Sequence, residues 1–148
     1  MLQLEENERA ELWRQLTATI ENYTNQVAEL PVAPPIDLTE IRSRLAKFDF
    51  EKPFPSLAAL DFAAENLTAF QVHTPHPRYF GLFNPAPATM GIAADALVAA
   101  FNPQLAAWSH NPFASEVERY LVKAFAGQFG YEGEIVKLLN STRANLSN

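Results

Sequence analysis

The side chains able to take or give a proton near neutrality, or to bind a metal, are few. There are three histidines, His73, His76 and His110, and no cysteine. Without cysteine there is no thiolate nucleophile, no disulfide and none of the usual structural zinc sites. His73 and His76 lie three residues apart with Pro75 between them. For a metal they would need carboxylates brought in from elsewhere, so the sequence favours loop histidines bonded to the backbone. Glu116 and Glu118 stand at the start of an amphipathic stretch, where a carboxylate suits the positive end of a helix or an ion pair better than acid-base work. The lysines are Lys47, Lys52, Lys123 and Lys137, and no glycine-rich phosphate cradle accompanies them. No residue is assigned a catalytic role, and no metal site is expected.

The elements that must position these residues read as helices. Leu12, Leu16, Ile20, Tyr23, Val27 and Leu30 recur at steps of three and four, which predicts a helix from about Glu5 to Leu30, ended by Pro31, Pro34 and Pro35. Its apolar stripe needs a partner surface, in this chain or in another subunit. Asp37 and Glu40 form a D-x-x-E capping signal for a short second helix that turns Leu38, Ile41, Leu45 and Phe48 inward. Ser56 is the expected N-cap of a third, burying Leu57, Leu60, Ala64 and Leu67. A fourth, roughly Thr89 to Phe101, has Asp95 as its one charge, which implies burial on nearly all sides. Asn111 and Pro112 open a fifth, with Phe113, Val117, Leu121, Phe125 and Phe129 on one face and Gly130 as its stop.

Between the third and fourth helices the helical period is lost. Pro75, Pro77, Pro85 and Pro87 alternate with Tyr79, Phe80, Leu82 and Phe83, so the chain presents aromatic side chains on a stiff loop. Such a loop either closes the core over the fourth and fifth helices or waits for a partner. The fold class is all-α with one long structured loop. Within a single helical domain 1–148, residues 1–72 form N-terminal dimerising helices, 73–88 the aromatic loop and 89–148 the remaining helices.

Charge narrows the partners. The chain has 148 residues, 48% of them hydrophobic, and a net charge of −6. No cationic excess is present to meet nucleic acid or an anionic membrane. The acidic opening MLQLEENERAEL lacks a long apolar stretch, so the expectation is a cytoplasmic protein with neither secretory signal nor membrane span.

The order of motifs is HPRYFGLFNPAP (His76 to Pro87), the small-residue helix GIAADALVAAFN, Trp108-x-x-x-Pro112 and then ASEVERYLVKAF. This order resembles the pyridoxal-phosphate-dependent (group II) amino-acid decarboxylases that act on glutamate, aromatic amino acids and 2,4-diaminobutyrate. The likeness is strongest from about Pro75 to Tyr131. It implies that the N-terminal helices of one subunit wrap over the other and that the aromatic loop walls a substrate pocket at the dimer interface. By that resemblance Pro77, Tyr79, Phe80, Leu82 and Phe83 shape the pocket, with Trp108, Asn111 and Pro112 nearby. The tail STRANLSN is similar to the family's glycine-rich G-G-x-E-A-N turn at Ala144 and Asn145, with Asn140, Ser141 and Arg143 where the family has glycines and glutamate. These two positions are the cofactor-binding candidates. The family cofactor, pyridoxal phosphate, is held through a lysine in a His-Lys context that none of the four lysines matches, so the chain by itself is not expected to bind it.

The first expectation is therefore a truncated decarboxylase of this family, inactive alone. The alternative is a stand-alone helical dimerisation module derived from it, binding itself or a full-length relative. A third reading places a different small ligand among Tyr79, Phe80, Phe83 and Trp108.

Overall fold

The computed structural model describes residues 3–49, 51–82 and 85–131. Among them the regular elements are five α-helices and one 3-10 turn, with no strand, so the chain is all-α. The chain divides into two compact units, Met1–Pro87 and Ala88–Asn148. No helix among the described residues is long and apolar enough to cross a membrane.

In the first unit, α1 (Glu6–Gln26) begins with Glu6 and Glu8 in its first turn, where acidic groups meet the exposed amides of a helix start. The predicted stripe is real. Leu12, Leu16, Ile20, Tyr23 and Leu30 are half-buried and Val27 is buried, and α1 finds its partner in its own chain by packing against α3 (Ser56–Phe70). The helix tightens into the 3-10 turn Val27–Glu29 instead of continuing to Leu30. The cause lies one residue ahead, because Pro31 drives Leu30 into extended backbone (φ −75°, ψ 159°).

Asp37 caps α2 (Leu38–Leu45), its carboxylate accepting from the amides of Thr39 at 2.8 Å and Glu40 at 3.1 Å. Glu40 is paired with Arg44 one turn on, the contact it makes in place of the reciprocal capping bond suggested by the sequence. Arg44 also donates to Asn66 Oδ1 at 3.4 Å and lies 5.0 Å from the Phe70 ring centroid, which ties α2 to α3. Phe48 adds an apolar joint, with its ring centroid 4.9 Å from Phe54 and 4.6 Å from Phe62.

Ser56 is the first residue of α3 and not its cap. The N-cap position is held by Pro55, which has no side-chain acceptor, and the Ser56 hydroxyl donates across to Glu8 on α1 at 2.5 Å. Leu38, Leu45 and Leu67, expected inward, are exposed. Three helices do not supply enough apolar neighbours to surround every residue of each stripe.

In the second unit, α4 (Thr89–Phe101) has the predicted bounds and ends on Asn102 in left-handed backbone, φ 44°, its amide bonded to Val98. Asn111 caps α5 (Pro112–Gln128) by accepting from the Ala114 amide at 2.9 Å. At the far end, Tyr131 N–H reaches the Ala126 carbonyl at 2.9 Å and Gly130 N–H the Gly127 carbonyl at 3.2 Å. That pattern requires the positive φ of 72° at Gly130, where a Cβ would be strained.

Burial is where expectation and structure part. Met90, Leu97, Val98 and Phe101 of α4 are exposed, as are Phe113, Val117, Leu121 and Phe125 of α5 and Phe129 just beyond it. Composition predicts a helix that prefers surroundings without water, but it does not supply them. Among the described residues, Val27 at 9% exposure is the one buried apolar side chain.

Asp37→Ala should destabilise the α2 region by about 0.5–2 kcal/mol, since two amides lose their acceptor. Urea denaturation followed by circular dichroism measures this, and an unchanged midpoint would show that the cap contributes nothing.

Candidate functional site

The aromatic loop belongs to the first unit, and its root is the most buried part of the described chain. His73 is 0% and His76 2% exposed, in a protein whose apolar side chains are mostly half-buried or exposed. The reason is the supply of unpaired carbonyls. A helix leaves its last carbonyl oxygens without internal partners, and α3 and the 3-10 turn after α1 both end beside this loop. His73 Nε2–H donates to the Thr68 carbonyl of α3 at 3.1 Å, and His76 Nε2–H to the Ala28 carbonyl of the 3-10 turn at 3.1 Å. His73 N–H completes the set by donating to the Val32 carbonyl at 2.9 Å.

These bonds also assign the protons. A carbonyl only accepts, so Nε2 carries the hydrogen in both rings and each Nδ1 is left as an acceptor. On His76 that acceptor receives the Arg78 amide at 2.9 Å, and on His73 it receives the Tyr23 hydroxyl at 3.0 Å. Burial pushes the Tyr23 hydroxyl above its ordinary value of 10.0, while a hydrogen bond from the Gln71 side chain pulls the other way. All four ring nitrogens are thus engaged. This is the backbone-bonded arrangement expected from the sequence, and it leaves no lone pair for a metal. No cluster of three or more metal-ligating side chains occurs among the described residues.

Beyond the root the chain turns tightly, with His76 N–H on the His73 carbonyl and Tyr79 N–H on the His76 carbonyl, each at 2.9 Å. The half-buried Tyr79 lies over Gly81 so closely that any Cβ there would collide with its ring, and its hydroxyl accepts from the Leu82 amide at 3.1 Å. Phe80 and Leu82 then stand out at 91% and 86% exposure.

The structure brings Pro77, Tyr79, Phe80 and Leu82 together on this loop, with Pro77 exposed; Phe83 lies outside the described residues. Trp108, Asn111 and Pro112 gather in the second unit around the start of α5. Trp108 Nε1–H donates to Glu116 Oε1 at 3.0 Å, and Glu116 also meets Arg119 at 3.4 Å. Glu116 thus holds a ring and an ion pair. Asn111 and Pro112 have the cap and first-turn roles already described.

The cofactor candidates Ala144 and Asn145, like Lys137, lie outside the described residues. Of the other lysines, Lys52 is exposed beside Asp49 and Lys123 is exposed on α5. Lys47 borders an open cleft of about 350 Å³ with Glu40, Ser43, Arg44, Phe62, Glu65 and Asn66. Pyridoxal phosphate needs an enclosed lysine, a carboxylate for its ring nitrogen and amides for its phosphate. The cleft offers mixed charge, its Arg44 is already engaged by Glu40 and Asn66, and it has no glycine-rich turn, so this cleft does not fit the cofactor.

Sequence reasoning missed Tyr23 and the carbonyls of Ala28, Val32 and Thr68. The positional signal was present, since Tyr23 falls on the inward stripe of α1, but its fifty-residue separation from His73 hides the pairing.

Comparison of the chain with protein-family profiles, curated proteins and solved structures returns no match.

Tyr23→Phe removes the donor to a fully buried ring nitrogen and should cost about 1–3 kcal/mol. Because the folded hydroxyl titrates above its unfolded value, the Tyr23 contribution is intact below about pH 10 and is lost as pH rises through the folded value. Urea midpoints measured from neutral to alkaline pH should fall more gently for Tyr23→Phe than for the unaltered chain. Parallel curves would remove Tyr23 as the cause.

Proposed function

We propose that this chain is the partner-binding, pocket-walling portion of a pyridoxal-phosphate-dependent amino-acid decarboxylase of the group II type, inactive by itself. Its task is to present a stiff aromatic loop and apolar helix faces to another subunit. The observation that carries this reading is the contrast between the loop's fixed, buried root at His73 and His76 and the exposed side chains of Phe80 and Leu82. Water gains nothing from two large apolar groups held rigidly in it, whereas a partner surface gains area without having to order the loop on binding. The motif order from His76 to Tyr131 supplies the family.

A second reading, a stand-alone module that dimerises with itself, draws on α4. Thirteen residues with Asp95 as the one charge make a helix suited to burial on every side, and Leu97, Val98 and Phe101 are exposed. Both readings require association, and both make the exposed Phe80 and Leu82 part of the contact.

Light scattering should give the mass of a dimer for the unaltered chain at micromolar concentration. Phe80→Asp with Leu82→Asp should weaken association at least about ten-fold, since each places an uncompensated charge in the contact. A monomeric native chain, or an unchanged mass in the double variant, would sink the docking role. Pyridoxal phosphate added to the same samples should produce no aldimine absorbance. A clear band that disappears on replacing one lysine would overturn the claim that the chain is inactive by itself, independently of its mass.

A further inference from the structure

The two buried histidines differ in one respect that their shared role as carbonyl partners does not require. His73 Nδ1 faces a hydroxyl, and His76 Nδ1 faces a backbone amide. A hydroxyl can both donate and accept. If His73 takes a proton at Nδ1, the Tyr23 O–H turns about its C–O bond and accepts from the new N–H, so the contact survives. The Arg78 amide has only a hydrogen to offer. If His76 takes a proton at Nδ1, two N–H groups point at each other and an attraction becomes a repulsion.

We infer that His76 is an acid-sensitive latch on the aromatic loop: protonation at Nδ1 expels the Arg78 amide and frees the segment that carries Tyr79, Phe80 and Leu82. The inference concerns the loop's tether and holds whether or not the loop meets a second subunit. The groups bonded to the two histidines come from each element packed against them. They are the Tyr23 hydroxyl of α1, the Ala28 carbonyl of the 3-10 turn, the Val32 carbonyl of the following segment, the Thr68 carbonyl of α3, and the loop's own Arg78 amide. No carboxylate or cationic side chain forms an ion pair with either imidazole among the described residues. Among the described residues no ion-pair partner is thus in place to hold a protonated His76.

Release propagates in one direction. The Tyr79 amide bonds to the His76 carbonyl, and Tyr79 in turn receives the Leu82 amide, so the turn that aims Phe80 and Leu82 is built outward from the latch. On the other side, the bond from His73 N–H to the Val32 carbonyl and the ring of His73 on Tyr23 and Thr68 do not involve the Arg78 amide. Acid is therefore expected to loosen residues 78–82 while the root at His73 stays closed.

The test is residue-resolved amide exchange on the full chain, expressed as protection factors so that the intrinsic effect of pH is removed. As the pH is lowered from neutral into the acid range, Arg78 protection should fall at least about ten-fold while that of the His73 amide is retained. His76→Asn places a carbonyl oxygen near the position of Nδ1 without a titrating group, and in it Arg78 should stay protected at both pH values. Level Arg78 protection in the unaltered chain overturns the latch, as does simultaneous loss at Arg78 and His73, which would signal general unfolding. An equal loss in His76→Asn also overturns it. Should that variant lose its helices, ring-nitrogen chemical shifts of the unaltered chain decide: the loss at Arg78 must follow the titration of His76, and a loss following His73 or His110 instead refutes the proposal.

Discussion

A helix that stops inside a protein leaves carbonyl oxygens that have to be satisfied, and much of the first unit is organised around two such stops. The 3-10 turn after α1 and the end of α3 both present carbonyls at the buried root of the loop. His73 and His76 meet that need from one loop. Each reaches a carbonyl with Nε2–H and keeps Nδ1 to order something further, the Tyr23 hydroxyl in one case and the loop's own Arg78 amide in the other. The loop is consequently bound to α1, α3 and the segment at Val32 by hydrogen bonds rather than by an apolar core.

This polar anchoring matters because hydrophobic burial is sparse. The α1 and α3 faces cover each other only partly, and the phenylalanines at 48, 54 and 62 form a small satellite cluster. Surface ion pairs such as Glu11 with Arg14 and Glu40 with Arg44 contribute little in water. A chain that is 48% hydrophobic has one buried apolar side chain among its described residues, so much of their apolar surface stays in water. Association is the ordinary way to recover it, and this is the physical basis for reading the molecule as part of a larger assembly.

The decarboxylase reading and the interaction-module reading differ in ancestry and chemistry but share a mechanical content. In both, the loop is a preformed contact element whose direction is set by buried hydrogen bonds and whose apolar tip is left for another surface. Tyr79 contributes by lying against Gly81 and holding the Leu82 amide, a close approach in which any added Cβ would displace the Tyr79 ring. Trp108, Asn111 and Pro112 serve a different local purpose around α5, where the indole is fixed by Glu116 and the helix start by Asn111.

The helices were legible in the sequence because their signals are local. Apolar steps of three and four, the Asp37 and Asn111 caps, Pro31 and Gly130 act within a turn or two of themselves, and the observed elements begin and end close to where those residues place them. Where local signals compete, neighbours decided: Ser56 gave its hydroxyl to Glu8 instead of capping α3, and Pro31 shortened α1 through the residue before it. Burial was not legible, since the composition of α4 states a preference for apolar surroundings and only packing can meet it. Nor was the histidine network, because a hydrogen bond between Tyr23 and His73 spans fifty residues of chain and leaves no periodic trace. Residue type and spacing determined the helices, the stiff aromatic loop and the backbone-bonded character of its histidines. Tertiary structure alone decided which carbonyls they meet, which ring nitrogen faces an amide, and that the loop's apolar tip is left in water.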